Sequence, residues 1–214
     1  MKKNGEKGPV KNYFWYDVAA VTAVIPAMIC FRPKRVYESE KAKAALKKGG
    51  ALLIANHDGF WDPVYLLAGI WNRRQHFVCT KDLAEHNAFT RWAFRQFHCI
   101  LIDRDNFSMN SMRAVSEYLK KGKVVSMFPE GHINEDNASG LAPFKSGMIL
   151  MAMQGESPIV PVYIKKPKRF YNRLIINVGE PVDVRALFGD RPSLAQINEA
   201  AELLRTREEK LKQL

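Results

Sequence analysis

Residues 51–63 read Ala51-Leu52-Leu53-Ile54-Ala55-Asn56-His57-Asp58-Gly59-Phe60-Trp61-Asp62-Pro63. The apolar run at the start of this stretch has the length and composition of a buried strand. Asp62 followed by Pro63 indicates a helix start, with the aspartate as N-cap and the proline at the first helical position. Residues five apart on one helix lie about 140° from each other, so His57 and Asp62 cannot share a helical face. The stretch therefore predicts a strand, a turn carrying His57, and a helix whose Asp62 carboxylate folds back toward the imidazole.

The pairing of His57 with Asp62 has a chemical interpretation. A carboxylate beside a neutral histidine fixes its tautomer and stabilises the imidazolium that forms when the histidine takes a proton. His57 is therefore a candidate general base and Asp62 a candidate orienting residue, in a turn that Gly59 can relax. The alternative is that Asp62 only caps the helix and His57 is an ordinary turn residue. These residues alone leave both interpretations open.

Strands and helices alternate after residue 50 without a linker-like stretch, which predicts an α/β fold: a single-domain, mixed, largely parallel sheet flanked by helices. Strands are expected at 51–55, 77–80, 100–102, 124–128, 159–164 and 174–178, and helices at 38–48, 63–71, 87–97, 108–121, 143–154 and 193–214. The last helix has Gln196 in the position of a capping box. Its expected buried stripe consists of Leu194, Ile197, Ala201 and Leu204.

Composition divides the chain at residue 35, into a basic and apolar segment 1–35 and an α/β domain 36–214. Tyr13-Phe14-Trp15-Tyr16 is an aromatic cluster of the kind that settles at the headgroup level of a bilayer. Residues 18–31 carry no charge, but as a helix they span only about 21 Å against about 30 Å of hydrocarbon, and Pro26 should kink them. Because basic residues lie on both sides, we expect a helical segment that inserts shallowly into an anionic membrane.

Two other interpretations of residues 18–31 stay open. An apolar run of this length also occurs as a helix packed on the core of a soluble domain. A signal peptide has a similar apolar core, but no clear Ala-x-Ala site follows here, and Ile29 before Cys30 does not suit a lipoprotein cleavage site.

The overall composition is that of a globular protein with an excess of positive charge. Charged residues make up 26% and hydrophobic residues 47% of the 214 residues, and the net charge is +11. Such a charge indicates anionic partners, which include phosphates, nucleic acid and acidic membranes, without choosing among them. Cys30, Cys79 and Cys99 form no paired or metal-spaced pattern, which is typical of reduced thiols in a cytosolic setting.

Several polar residues follow the predicted strands directly. In open α/β sheets the ligand site lies beyond the carboxyl ends of the strands, and His57, Arg104 and Glu130-Gly131 all fall there. An ordinary salt bridge of Arg104 with Asp103 or Asp105 is the alternative for that arginine. A basic turn at 165–173, which contains Lys166, holds no acidic residue.

The motifs in this order resemble those of the glycerolipid acyltransferases, and most closely those of bacterial 1-acyl-glycerol-3-phosphate acyltransferases. His57 to Asp62 is similar to the His-x-x-x-x-Asp motif of that family, and Ile100-Leu101-Ile102-Asp103-Arg104 to its second motif. Phe128-Pro129-Glu130-Gly131 is similar to the third motif and Ile159-Val160-Pro161-Val162 to the fourth. Together they cover roughly residues 50–165.

The resemblance implies a role for each matching residue. His57 would remove the proton from a glycerol hydroxyl that attacks an acyl thioester, and Asp62 would hold the histidine. The acceptor, and chiefly its phosphate, would be bound by Arg104, Glu130, Gly131 and Lys145. A planar guanidinium suits phosphate oxygens, whereas the Glu130 carboxylate repels them and would instead accept a glycerol hydroxyl or position Arg104.

The resemblance also implies the reactants and the surroundings. The acceptor would be the sn-2 hydroxyl of lysophosphatidic acid, or else another lysophospholipid or glycerol-3-phosphate. Acyl-CoA or acyl carrier protein would be the co-substrate, with no resident cofactor and no metal. The expected partners are membrane phospholipid and lysophospholipid, with acyl carrier protein as a further candidate and no nucleic acid. The expected location is the cytoplasmic face of the cell membrane, as a peripheral or monotopic protein.

Two positions depart from the family pattern. The third motif usually continues with Thr-Arg-Ser, but here it continues with His132-Ile133-Asn134, so an arginine is absent. Cys99 stands near the place of the glycine that usually leads the second motif. The first departure bears on the identity of the acceptor more than on the type of reaction.

Two other functional classes compete with acyl transfer. A non-catalytic protein could bind anionic lipid or nucleic acid through its basic faces, but binding alone needs neither His57 nor Asp62. A metal-dependent hydrolase could use His57, Asp58, Asp62 and His132 as ligands. That set lacks the His-Glu-x-x-His or Cys/His spacing of well-formed metal sites.

Overall fold

A mixed β-sheet forms the centre of the fold in the computed structural model, which describes residues 12–103, 109–134, 140–169 and 172–214. The strands in these residues are β1 Lys34–Tyr37, β2 Ala51–Ala55, β3 Gln75–Thr80, β4 Ile100–Ile102, β5 Val124–Met127, β6 Ile159–Lys165 and β7 Ile175–Val178. They lie in the order β1-β7-β6-β2-β5-β3-β4. All neighbours are parallel except β6 and β7, which are antiparallel.

Helices cover both faces of this sheet. Their bounds are α1 Phe14–Ala19, α2 Ile25–Phe31, α3 Glu40–Ala45, α4 Asp62–Gly69, α5 Lys81–Glu85, α6 Ala88–Gln96, α7 Met109–Lys120, α8 Gly147–Gln154, α9 Val184–Phe188 and α10 Leu194–Leu211. A π-helical turn, Ala20–Val24, joins α1 to α2, so that Phe14–Phe31 forms one N-terminal helix. The predicted α/β fold with a largely parallel sheet is confirmed.

The apolar run of β2 is explained by its central position in the sheet. Leu52 and Ile54 belong to the core that α7, α8 and α10 cover, whereas Leu53 belongs to the core under α3, α4 and the N-terminal helix. Successive side chains of a strand point to opposite faces, so a strand with a core on each side must be apolar throughout. The turn that follows β2 therefore begins at the centre of the sheet.

The N-terminal helix is longer than the sequence predicts, because the aromatic cluster at residues 13–16 forms part of it. Its 18 residues have a mean hydropathy of 1.7, and only 11% of them are buried. By length and composition alone it could cross a membrane, since a helix of that length rises about 27 Å. The π-helical turn Ala20–Val24 lies just before Pro26, where the sequence predicts a kink.

Specific contacts fasten the N-terminal helix to the domain at both ends. The Tyr16 hydroxyl accepts a hydrogen bond from the Gln75 backbone N–H at 3.1 Å, and Arg74 pairs with Asp17 at 2.8 Å. At the other end the backbone N–H of Leu174 donates to the carbonyl of Phe31 at 2.9 Å. Val24 and Ala27 are buried between these ends. One side of the helix thus packs on the domain, as the core-helix interpretation requires, and its other side is exposed.

The sequence misplaced the start of α8 and the burial of Leu194. The helix expected from residue 143 begins at Gly147, and in the segment before it the backbone N–H groups of Ala142 and Lys145 donate to Glu130 and Pro129. Leu194, expected in the buried stripe of α10, is 72% exposed because the first turn of α10 projects beyond the core. Every other predicted end lies within three residues of the observed one, and Ser193 and Gln196 form the expected capping box.

The sequence did not predict β1, α5 and α9. β1 carries Lys34 and Arg35 and pairs with β7 at the edge of the sheet, so its charged side chains do not follow the pattern of a buried strand. The division of the chain at residue 35 stays a prediction, and β1 extends across it.

His76 in β3 is a buried histidine that is not one of the predicted site residues. Its Nδ1 lies 3.4 Å from the carbonyl oxygen of His98, its Nε2 has no partner among the described residues, and its ring stands edge-on to Tyr118. Burial lowers the pKa of His76 from 6.5 to about 4, and the nearby charges of Lys123 and Arg74 act in the same direction. The folded protein thus binds a proton at His76 less readily than the unfolded chain does.

We predict that His76→Phe makes the protein more resistant to mild acid. The unfolded chain takes up a proton near pH 6.5 and the folded protein only near pH 4, so stability falls as the pH drops through this window. Removing the imidazole should reduce the loss of unfolding free energy between pH 7 and pH 5 by about 2 kcal/mol. Urea unfolding at both pH values measures this, with the exposed His86→Gln as control. An unchanged loss in His76→Phe would contradict the assignment.

Candidate active site

The turn after β2 brings His57 and Asp62 together. Nδ1 of His57 lies 3.0 Å from Oδ2 of Asp62, whose side chain is fully buried. The same oxygen accepts hydrogen bonds from the backbone N–H of Asp58 at 2.7 Å and of Gly59 at 2.8 Å. Since a carboxylate only accepts hydrogen bonds, Nδ1 carries the imidazole proton and Nε2 is left to act as a base.

Asp62 reaches this position because it does not cap α4. Trp61 is the residue before the helix and makes no side-chain cap, while Asp62 is already helical. The predicted N-cap role of Asp62 is therefore wrong, since its Oδ2 points back to the amides of the turn. Gly59 has no positive φ, so the turn does not use the conformational freedom of glycine. A Cβ at residue 59 would instead lie 3.1 Å from Nζ of Lys166, so the glycine leaves space there.

The loop after β5 holds His57 from the other side. The ring of Phe128 stacks on the imidazole, with 4.1 Å between the ring centroids and 17° between their planes. The backbone N–H of His57 donates to Oε1 of Glu130 at 3.1 Å, and its carbonyl accepts from the N–H of Asn134 at 2.7 Å. The imidazole is thus fixed by its ring, its backbone and Nδ1.

Glu130 is buried and accepts hydrogen bonds on both of its carboxylate oxygens. Besides Oε1 on His57, Oε2 accepts from Nδ2 of Asn134 and from the N–H of Ala142, each at 2.9 Å. Its side chain therefore links the His57 turn to the segment before α8. This geometry favours a positioning role for Glu130 over direct contact with an acceptor.

Gly131 and Lys145, two predicted acceptor-binding residues, lie against each other. Gly131 has φ +76°, and a Cβ there would come within 2.8 Å of Cε of Lys145. The positive φ favours glycine, and the absent side chain also leaves room for Lys145. Lys145 precedes α8 by two residues instead of opening it, and its N–H donates to the carbonyl of Pro129 at 3.0 Å. Both residues and His57 line the same groove.

Two sequence-predicted positions remain to be placed. Arg104 lies outside the described residues, as does Asp105, and the role of Arg104 stays a prediction. Asp103, the residue before it, lines the groove. His132 also lines the groove, and its Nδ1 lies 3.1 Å from the carbonyl oxygen of Glu130.

Lys166 is a residue of the site that sequence reasoning missed. Its Nζ lies 2.9 Å from Oδ1 of Asp62 and 3.9 Å from Oδ2 of Asp58. The sequence showed only a lysine in a basic turn without acidic neighbours, whereas the fold brings it to two carboxylates. The available signal was its position at the carboxyl end of a strand, but the sequence does not reveal that this strand lies beside β2.

Glu208 on α10 places a further acidic side chain beneath the site. It is fully buried, and neither of its oxygens has an aligned hydrogen bond with a described residue. Burial raises the pKa of Glu208 well above its usual range, and the charges of Glu130 and Asp58 add to this, opposed by the nearby backbone amide of Asn56. Burial thus favours the protonated form of the Glu208 carboxyl group.

A large apolar groove opens beside His57. Its volume is about 1500 Å³, and one of its walls is the N-terminal helix. Its apolar lining includes Val24, Ile25, Met28, Val64, Leu67, Phe77, Val78, Phe94, Phe97, Ile102, Leu150 and Leu194. The groove thus joins a base at one point to an extended apolar surface that could receive a lipid chain.

A family model described as Acyltransferase matches residues 34–165, which include His57, Asp62, Glu130, Gly131 and Lys145. This chain belongs to the acyltransferase family. The 1-acyl-sn-glycerol-3-phosphate acyltransferase of Bacillus subtilis (strain 168) is 28% identical to it over 189 residues, which cover 84% of this chain and 90% of that protein. The 1-acyl-sn-glycerol-3-phosphate acyltransferase of Saccharomyces cerevisiae (strain ATCC 204508 / S288c) is 26% identical over 203 residues, 89% of this chain and 63% of that protein.

A solved structure shares the fold of this acyltransferase. It is the crystal structure of the 1-acyl-sn-glycerophosphate (LPA) acyltransferase PlsC from Thermotoga maritima, with a TM-score of 0.65 and 18% sequence identity. The match covers 95% of this chain and 83% of that one.

The metal-hydrolase interpretation finds no geometric support in the described part of the acyltransferase. Among residues 12–103, 109–134, 140–169 and 172–214, no three His, Cys, Asp or Glu side chains are grouped so that they could hold a metal ion. His57 and Asp62 bind each other, and Asp58 faces Asn56 and Lys166.

We predict that Glu130→Gln destabilises the acyltransferase and slows it without weakening acceptor binding. A glutamine amide nitrogen cannot accept a hydrogen bond, so at least one of the donors on His57, Asn134 and Ala142 loses its acceptor. The free energy of unfolding should fall by about 1–3 kcal/mol, with a lower kcat and an unchanged acceptor KM. Urea unfolding and steady-state kinetics measure both effects.

The exposed Glu202→Gln, which removes one charge of a surface pair with Arg205, is the matched control. If Glu130→Gln raises the acceptor KM and leaves stability and kcat unchanged, Glu130 binds the acceptor as the family resemblance implies.

Proposed function

We propose that this acyltransferase moves a fatty acyl group from acyl-CoA or acyl carrier protein to the sn-2 hydroxyl of 1-acyl-glycerol-3-phosphate, in phospholipid synthesis. The observation that carries the proposal is the His57–Asp62 pair, with a 3.0 Å contact, at one point of an apolar groove of about 1500 Å³. A lipid-binding protein without chemistry would need the groove but not a buried carboxylate that orients a histidine.

The proposed reaction uses His57 as general base. Nε2 takes the proton of the glycerol hydroxyl while the hydroxyl oxygen attacks the thioester carbonyl carbon. The tetrahedral intermediate collapses, the carbon–sulfur bond breaks, and the imidazolium returns its proton to the leaving thiolate. The products are an ester and a free thiol, and His57 is neutral again. Asp62 stabilises the imidazolium in between, through the contact at Nδ1.

The acceptor phosphate is proposed to lie near Lys145 and Arg104. Lys145 lines the groove with His57, and the absence of a side chain at Gly131 leaves room for the lysine beside it. Two cations near one phosphate would fix the glycerol so that its hydroxyl meets Nε2. The names of the relatives support lysophosphatidic acid as the acceptor. Another lysophospholipid and glycerol-3-phosphate are the alternative acceptors.

The donor and the location belong to the same proposal. The thioester of acyl-CoA or acyl carrier protein is a co-substrate, so the reaction needs no resident cofactor. We propose that the enzyme works at the cytoplasmic face of the cell membrane, where membrane phospholipid and lysophospholipid are its partners. The exposed side of the N-terminal helix supports membrane contact, since Phe14 is 60% and Ile29 71% exposed.

We predict that His57→Ala lowers the rate of acyl transfer by about 10² to 10⁴-fold while the protein stays folded, since a positioned base contributes that much. The assay uses purified enzyme in phospholipid vesicles. It offers lysophosphatidic acid, other lysophospholipids and glycerol-3-phosphate, each with acyl-CoA and with acyl-loaded carrier protein. His86→Ala, at an exposed histidine, is the control.

Each outcome of this assay has a separate meaning. If the parent enzyme prefers lysophosphatidic acid, the proposed acceptor is supported. If it prefers another acceptor, that acceptor replaces lysophosphatidic acid in the proposal. A His57→Ala variant that keeps most of its rate contradicts the catalytic role of His57.

We predict that Phe14→Ser/Ile29→Ser weakens membrane binding but not catalysis. Neither residue lines the groove, and both side chains face away from the domain. Charge attraction to anionic vesicles is screened at high salt, whereas inserted apolar side chains are not released by salt. The fraction of protein that stays on anionic vesicles after a high-salt wash should fall several-fold, with unchanged transfer to a short, water-soluble lysophospholipid.

The control for this experiment is Leu187→Ser, at an exposed leucine of α9. If the parent protein does not bind anionic vesicles even at low salt, the exposed side of the N-terminal helix does not contact a membrane.

A further inference from the structure

The two oxygens of the Asp62 carboxylate have different surroundings. Oδ2 has three donors, namely Nδ1 of His57 and two backbone amides of the turn. Oδ1 receives no aligned hydrogen bond, and its close polar neighbour is the Lys166 ammonium at 2.9 Å. A fully buried carboxylate is costly unless hydrogen-bond donors or a cation compensate its charge. Within the described residues, Lys166 is the lysine or arginine that does this.

The fold carries Lys166 to Asp62 from the neighbouring strand. β6 pairs with β2, and Lys166 follows the last residue of β6. The side chain of Asn56 joins the two strand ends, because it accepts from the N–H of Ile164 at 2.7 Å and donates to Oδ1 of Asp58 at 3.0 Å. The backbone at Lys166 is therefore held in a fixed position relative to the His57 turn.

The turn leaves space for the ammonium group. Nζ of Lys166 lies between Asp62 and Asp58, and a Cβ on Gly59 would come within 3.1 Å of it. The lysine side chain is 29% exposed. It does not line the groove, whereas Lys145 does. Its charge is thus directed at the carboxylates behind His57 and not at the space where a substrate phosphate would lie.

We propose that Lys166 is a positioning residue for acyl transfer, which acts through Asp62 by holding the carboxylate in the orientation that aligns His57. The inference rests on the proposed function of the His57–Asp62 pair. It adds to that pair a cation from the turn after β6. Without the ammonium, no described residue holds Oδ1 of Asp62 in place and the carboxylate can rotate. Nδ1 of His57 would then lose its fixed acceptor.

The test replaces Lys166 by methionine, which keeps the length of the side chain but removes the charge. We expect kcat to fall about 10 to 10²-fold, as for other small misplacements of a catalytic group, with both KM values within about twofold of the parent. Lys166→Arg should recover most of the rate because it keeps the cation. Lys168→Met, at an exposed lysine of the same turn, should match the parent.

A double-mutant cycle shows whether Lys166 acts through Asp62. In an Asp62→Asn background, Lys166→Met should add little further loss of kcat, because the carboxylate it positions is gone. A full multiplicative loss overturns the inference, as does a Lys166→Met variant with a raised acceptor KM and unchanged kcat. The latter result would make Lys166 a phosphate ligand.

A readout independent of activity covers variants that are slow for other reasons. In ¹⁵N-labelled protein, long-range ¹H–¹⁵N spectra of His57 should show one tautomer, protonated on Nδ1, in the parent and in Lys166→Arg. Lys166→Met and Lys166→Gln should show a mixture, and a single Nδ1–H tautomer in folded samples of both overturns the inference. Absence of transfer by the parent enzyme would instead contradict the proposed function, which separates the two failures.

Discussion

The contact between Oδ2 of Asp62 and the turn after β2 organises the reacting edge of the sheet. One buried oxygen accepts from two backbone amides and from His57, so the same atom shapes the turn and orients the base. β2 runs through the middle of the sheet and delivers the turn to the edge of the core, where Asp62 is buried and His57 is partly exposed. The apolar residues of β2 place the turn at the core, where burial excludes water from the Asp62 carboxylate. The backbone amides of the turn compensate the charge of that carboxylate.

The carboxyl groups around His57 are accommodated in three different ways. Glu130 accepts three hydrogen bonds from protein donors. Asp62 combines three donors with the cation of Lys166. The Glu208 oxygens have no aligned hydrogen bond with a described residue, and burial raises the pKa of this carboxyl group. Protonation of Glu208, which the raised pKa favours, reduces its repulsion with Asp58 and Glu130.

The sequence predicted those parts of the site that depend on neighbours along the chain. The apolar run of β2 and the spacing from His57 to Asp62 are local, and so is the capping box of α10. It failed where distant residues decide. Lys166 reaches Asp62 only because β6 lies beside β2, and β1 is a strand because it pairs with β7 at the edge of the sheet. Such contacts depend on the order of strands in the sheet, which no local pattern contains.

Polar contacts attach the N-terminal helix to the domain at both of its ends. The contacts of Tyr16 and Asp17 hold one end, and the bond from Leu174 to Phe31 holds the other. Between these supports the packing of Val24 and Ala27 is apolar and therefore not directional, and the π-helical turn lies in the same span. The ends of the helix are thus held by directional contacts and its middle by non-directional packing. Since this span is also a wall of the groove, apolar packing sets the position of that wall halfway along the helix.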